Sequence, residues 1–276
     1  MILVAGATGN VGSELVRVLA SAGEPVRALS RRPVSAALPA GVTAVGADLN
    51  EPDTLADALN GTRGMFLLSG YRDMPGLLRR AREAGAEQVV LLSGSSAGAR
   101  DLDNAISRYM VASEAALRDS GLAWTILRPV SFMSNTLQWA EQLRRGDVVR
   151  APFADVPVAP IDPYDIAAVA GQALLFGGHD GRVYPLTGPE SLRPADRVRV
   201  LGTVLGRELR FVGQTDTEAR TEMSAAMPDQ YVDAFFRFFA DGMLDESAVL
   251  PTVAEVTGRP PHTFRQWAEA HAAAFS

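Results

Sequence analysis

The sequence predicts an α/β protein, a doubly wound parallel sheet with a smaller C-terminal lobe. Three observations carry that expectation. A short apolar run at residues 2–5 breaks into three glycines spaced three apart and resumes at helical spacing. Strand-like and helix-like segments then alternate as far as Pro129. Beyond Arg128-Pro129 the rhythm stops, and a Pro-rich stretch leads into shorter, mixed elements.

Residues 2–5 form the first strand. Residues 11–20 carry apolar side chains three and four apart, and Gly23 stops that helix. Strands follow at 26–30, 42–47, 65–68, 88–93 and 124–127, with helices at 54–59, 74–84 and 108–119. Strands separated by helices at this pace must run parallel under helices on both faces. Further on, 146–163 reads as irregular, 166–175 as a helix and 182–186 as a strand. A helix at 194–205, a short strand at 208–212 and a mostly helical 217–242 complete the pattern. The expected division is a sheet domain at 1–150 and a smaller lobe at 151–276, interleaved with the sheet at the ends of the strands where open α/β sheets bind ligands.

Composition removes several kinds of chemistry. The 276 residues include no Cys, which excludes disulfides, thiolate metal sites and cysteine nucleophiles. All 26 basic residues are Arg, so a Walker A loop, a Schiff base and an ammonium-assisted mechanism are excluded as well. A net charge of −6 without a basic cluster gives no footprint for nucleic acid. The three His are scattered, and no metal site is expected. No apolar run approaches the roughly 18 residues that would span a bilayer, and Met1 leads directly into a strand, so a cytoplasmic protein without membrane contact is expected.

In "GATGNVG", Gly6, Gly9 and Gly12 follow a strand and open a helix. That context suits a Rossmann-type dinucleotide cradle. Gly6 permits the tight turn, Gly9 admits a pyrophosphate close to the backbone, and Gly12 allows the helix to pack on the strand. The N–H groups around Asn10 and Val11 face the anion, and Thr8 adds a hydroxyl. The second strand ends "VRALSRRP", with Ser30, Arg31 and Arg32 and no carboxylate. Arginine there suits a 2′-phosphate, so NADP(H) is the expected cofactor. In "VGADL", Asp48 and Leu49 follow the third strand; Asp48 either accepts from the adenine amino group or serves the turn. Leu68, Ser69 and Gly70 end the fourth strand, and Ser93, Gly94, Ser95 and Ser96 follow the fifth, small enough to let a nicotinamide ribose lie against the backbone.

The chain resembles the NmrA-like, atypical branch of the short-chain dehydrogenase/reductase superfamily. The resemblance rests on "GATGNVG", "SRRP", "GADLNEPDTLADAL", "SEAALRDSGLAWTILRP" with "FMSN", "PIDPYDIAAVA", "VYPLTGPESL" and the tail "VTGRPPHTFRQWA", and so covers essentially the whole chain. Family members include NADPH-dependent reductases of quinones, dyes and phenolics, and redox-sensing regulators without turnover. Classical members of the superfamily use a Tyr-x-x-x-Lys pair, in which Lys lowers the Tyr pKa for proton exchange. Alignment on the resemblance puts Ile106 and Met110 at those two positions. Tyr109 and Ser95 remain as candidate hydrogen-bond donors, while the catalytic group itself stays unassigned.

Phe132, Met133 and Asn135 follow the sixth strand and are expected to line a substrate pocket. Asp165 is read as the cap of the helix after Asp162. In "YVDAFFRFFADGML", Phe235, Phe236, Phe238 and Phe239 cannot all face one core, so Phe235 and Phe239 are assigned to the pocket. Two functions stay open. One is an NADPH-dependent oxidoreductase of a hydrophobic small molecule such as a quinone or activated enone, monomeric or homodimeric. The other is a non-catalytic NADP(H)-binding redox sensor.

Overall fold

Strand β1 (Ile2–Ala5) is buried along its whole length, as four consecutive apolar side chains require of a strand covered on both faces. The computed structural model describes residues 1–31, 38–51, 54–99 and 101–276, so Arg32 lies outside the described residues. After β1 come α1 (Asn10–Ser21), β2 (Val26–Ser30), β3 (Val42–Gly46), α2 (Ala56–Leu59), β4 (Gly64–Leu68), α3 (Met74–Glu83), β5 (Gln88–Leu92), α4 (Ser96–Ala99), α5 (Ala105–Arg118) and β6 (Ala123–Pro129). The second half adds α6 (Ala140–Arg145), β7 (Val148–Ala151), α7 (Pro163–Leu175), β8 (Arg182–Leu186), α8 (Pro194–Leu205), β9 (Arg210–Gly213), α9 (Asp216–Ala226), α10 (Asp229–Phe239), α11 (Thr252–Thr257) and α12 (Phe264–Ala270).

Seven strands form one sheet in the order β3-β2-β1-β4-β5-β6-β8. Every pairing from β3 to β6 is parallel. The chain runs outward from β1 to β3 on one side and restarts at β4 on the other. That reversal between β1 and β4 is where doubly wound sheets open a crevice for ligands. The core beneath this sheet is built from Leu3, Leu29, Met65, Leu67, Leu91 and Ile126 with Leu77 and Leu78 of α3.

Each of the two compact units is assembled from three separate stretches of the chain. One compact unit comprises Met1–Gly98, Tyr109–Pro129 and Pro163–Pro185; the other comprises Ala99–Arg108, Val130–Asp162 and Leu186–Ser276. Helix α7 belongs to the first because it packs on α1: a Cβ on Gly171 would stand 2.8 Å from Val18 Cγ1. Residues 130–150 belong to the second because Met133, Trp139, Leu143 and Val149 join Trp267 and Phe275 in its core.

Several elements depart from the sequence expectation for local reasons. The stretch at 146–163 contains β7, which pairs in parallel with β9 as a separate two-stranded sheet. The span 217–242 breaks at Met227-Pro228, where proline has no N–H to continue α9 and begins α10 instead. Helix α5 starts three residues early because Asn104 Oδ1 accepts from the N–H groups of Ile106 (2.9 Å) and Ser107 (3.3 Å). Helix α7 starts at Pro163, so Asp165 lies inside its first turn rather than ahead of it. Asp162 faces His262, whose Nδ1 is 2.9 Å from its carboxylate.

Candidate functional site

The glycine turn has the geometry of an anion cradle. Gly6 adopts φ +62°, a left-handed conformation costly for any residue with a Cβ. The Gly9 N–H donates to Gly6 O at 2.8 Å, closing the turn. A Cβ on Gly12 would stand 2.2 Å from Gly6 O and 3.1 Å from Ala7 Cα, so the helix start lies flush against the loop. Val11 is buried and anchors α1, whereas Thr8, Gly9 and Asn10 are exposed. The N-cap of α1 is Gly9, which has no side chain to cap it, and the first turn carries no acidic residue, so the positive end of the helix favours an anion.

Beside this turn, a cavity of about 340 Å³ is lined by Thr8, Ser13, Arg17, Ser30 and Leu38 among others. Arg31 is exposed just past Ser30 at the end of β2. Asp48 serves the turn: its Oδ1 accepts from the Asn50 N–H at 2.9 Å, and its own N–H and C=O bond the Thr54 hydroxyl. Leu49 is buried beneath it. Tyr71, which sequence reasoning passed over, packs against this edge of the core. Burial, reinforced by the Asp48 charge, pushes its phenol up to about 12. An aromatic directly after the Ser-Gly end of β4 was the available signal.

The ends of β4 and β5 are tied to α5. Leu68 Cδ1 lies 3.1 Å from where a Gly6 Cβ would sit, so β4 abuts the glycine turn. Ser69 Oγ donates to Leu92 O, and the Gly70 N–H donates to Ser113 Oγ. The Tyr109 ring lies 3.3 Å from the Cβ position of Gly70, which places this tyrosine at the end of β4. Ser95 is held through its N–H by Pro129 O. Met110 packs on the β5 loop, with its Sδ 2.9 Å from the Cβ position of Gly94 and 3.3 Å from Ser96 Oγ. Ile106 is half-buried one turn earlier on the same helix.

Ser93 spends its hydroxyl on Glu114 at 2.7 Å. Glu114 is buried and also accepts from Arg128 Nε (2.9 Å), Arg128 Nη2 (2.7 Å) and Arg118 Nη2 (2.9 Å). Burial pushes its carboxyl up, but the hydrogen bonds from Arg128, Ser93 and Arg118 outweigh burial and hold it below the ordinary carboxylate value. The same partner raises Arg128. A Glu on a helix four residues before Arg118 hinted at a surface pair, and nothing in the sequence indicated burial.

The second unit holds a cavity of about 620 Å³. Asn135, Phe235 and Phe239 line it. Phe132 and Met133 sit elsewhere: Met133 is buried in the core and Phe132 pairs its backbone with Ile161. The phenylalanine run of α10 is divided, with Phe236 and Phe238 buried and Phe235 stacked on Phe239 at 6.4 Å. Phe153, at φ +54°, joins them with its ring 5.3 Å from Phe239 and 5.2 Å from Phe236. A left-handed phenylalanine is strained, and these aromatic contacts hold it. On another wall, Arg197 lies over the Trp139 ring at 5.0 Å, with its Nε sealed from solvent and without a hydrogen-bond partner. Burial alone pushes this guanidinium down to about 10, so it remains charged at neutral pH.

The sheet order and the glycine cradle define a Rossmann-type dinucleotide-binding protein. The chain belongs to the NAD(P)H-binding family, whose model matches residues 6–174. It is 42% identical to a (4-alkanoyl-5-oxo-2,5-dihydrofuran-3-yl)methyl phosphate reductase from Streptomyces griseus, over 100% of this chain and 99% of the relative. It is 39% identical to an NAD(P)H azoreductase from Xenophilus azovorans, again over 100% and 99%. Its fold matches the NADPH-dependent quinone oxidoreductase of Escherichia coli complexed with NADPH, with a TM-score of 0.80, 24% identity and coverage of 99% and 100%.

Proposed function

We propose that this protein is an NADP(H)-dependent reductase of hydrophobic, electron-poor small molecules such as quinones and activated enones. The observation that carries the reading is the cradle itself: an uncapped helix start behind three glycines, with Arg31 at the end of β2 and Asp48 engaged in its own turn. Gly6, Gly9, Gly12 and the N–H groups at the start of α1 would hold the pyrophosphate, Arg31 the 2′-phosphate, and the ends of β4 and β5 the nicotinamide ribose. When bound, the cofactor supplies a hydride. The aromatic walls of the second unit's cavity take a flat apolar body and exclude water from it. With no Lys in the chain and Met110 against the β5 loop, no phenol–ammonium pair supplies a proton. Acceptors whose reduction gives a delocalised anion, protonated by water, suit such a site best. The azo and dihydrofuranone reductases among the relatives support this reading, as their names describe electron-poor π systems. No helix among the described residues is long and apolar enough to cross a membrane.

The same lack of a phenol–ammonium pair favours a second reading, a redox sensor that binds NADP(H) without turnover. An acceptor screen separates the two. NADPH oxidation followed at 340 nm with 1,2-naphthoquinone, menadione and azo dyes is expected to show quinone-dependent turnover. No oxidation with any acceptor, despite tight NADPH binding, leaves the sensor. In the same preparation, Arg31→Ala is expected to weaken NADPH binding about tenfold and to leave NADH binding unchanged. Equal weakening for both nucleotides would remove Arg31 from the 2′-phosphate site.

A further inference from the structure

We infer that Arg197 is the receptor for an acidic group on the small molecule, so that the substrate joins an apolar body to a phosphate monoester or a carboxylate. The inference rests on the reading that the second unit's cavity receives the substrate, and it adds a class to that substrate.

The cavity's glutamines and its other charged side chains bond protein partners. Gln138 donates to Asn135 O, and Gln142 both donates to and accepts from the Arg150 backbone. Gln214 donates to Glu222. Arg150 pairs with Glu218 at 2.9 Å and lies 3.9 Å from Glu222. Arg197 is different. It lines the same cavity, its Nε is sealed from solvent without a hydrogen-bond partner, and among the described residues no carboxylate pairs with it.

Arg197 is half-buried with its Nε sealed, and taking part of a guanidinium out of water without a counter-charge is unfavourable unless something supplies that charge. Trp139 supplies part of it through its ring face. What stays unmet is the in-plane fork of donors, which matches two oxygens of a phosphate or carboxylate. The aromatic wall of Phe153, Phe235 and Phe239 in the same cavity then takes the apolar part.

The test uses non-reducible probes, so it does not depend on turnover. Binding of 2-naphthyl phosphate, 2-naphthoate and 2-naphthol is measured by calorimetry with NADP⁺ in saturating excess, which keeps the phosphate probe out of the glycine cradle. At least one anion is expected to bind about 10-fold more tightly than naphthol, and which one does so identifies the acidic group. Arg197→Gln is expected to bring that anion to parity with naphthol while leaving naphthol binding unchanged; Arg197→Lys keeps part of the preference. Equal affinities for all three probes in the unmodified protein would overturn the inference, a comparison that needs no variant to fold. A preference that survives intact in Arg197→Gln would overturn it as well. A protein that binds the anion through Arg197 yet reduces nothing would keep this inference and lose the reductase reading. One that reduces 1,2-naphthoquinone without preferring the anionic probes would do the reverse.

Discussion

Gly12→Ala is expected to weaken NADPH binding by about 100-fold and to destabilise the fold by roughly 2–3 kcal/mol. The added methyl would stand 2.2 Å from Gly6 O and 2.7 Å from Gly6 C, atoms of the backbone that have no alternative rotamer. Either α1 or the loop must move. The helix is pinned on its far side, where Val18 and Leu15 meet α7 so closely that Gly171 has no room for a Cβ. The loop therefore yields, and it is the loop whose N–H groups would meet the pyrophosphate. Gly146→Ala is the matched control: its backbone is extended at φ 168° and nothing lies within 4 Å of the new methyl. It is expected to change stability by less than about 0.5 kcal/mol. Fluorescence titration with NADPH and urea denaturation read both effects. A Gly12→Ala protein with unchanged NADPH affinity would show that this turn is not the phosphate cradle.

What the sequence revealed divides along a physical line. Features set by neighbours in the chain were legible, such as the β1 run and the glycine turn. Each depends on one strand, one turn or one helix start. The departures come from distant partners. β7 looked irregular because its four residues become a strand only by pairing with β9, some sixty positions later. Met133 looked like a pocket residue because proximity to β6 carries no information about which way the 3₁₀ segment Met133–Trp139 points its side chains. The split of the phenylalanine run between core and surface was legible because four phenylalanines in five helical positions cannot share one face. Arg197 was not, since an arginine in "PADRVRVL" reads as a solvated helix face until Trp139 is seen beneath it. Glu114 is the clearest case. Its burial is imposed by Arg128 and Ser93, fourteen and twenty-one residues away on neighbouring strands or their ends.

Glu114→Gln is expected to cost roughly 2–4 kcal/mol of stability at neutral pH. The amide keeps the shape and one acceptor but removes the charge that Arg128 and Arg118 share. Arg118 is 37% exposed and can turn to water, which places the cost below that of a fully enclosed pair; Arg128 is 23% exposed and has less freedom. The pH dependence identifies the charge as the cause. Because the folded carboxyl lies below its ordinary value, its contribution is complete above the ordinary carboxylate range and disappears as pH falls through the lowered value. The stability difference between the parent protein and Glu114→Gln should therefore be constant from about pH 8 to about pH 5.5, then shrink toward pH 3 as Glu114 takes up a proton. Urea denaturation across that range measures it, and a difference that persists unchanged at the acidic end would assign the loss to packing instead. The network also reaches the candidate site, because Ser93 at the end of β5 is held by Glu114. Freed from the carboxylate, that strand end should loosen, so the variant is expected to bind NADPH several-fold more weakly even where it is fully folded. Ser93→Ala, which removes one hydrogen bond and leaves the arginines paired, should reproduce the binding loss with only about 1 kcal/mol of the stability loss.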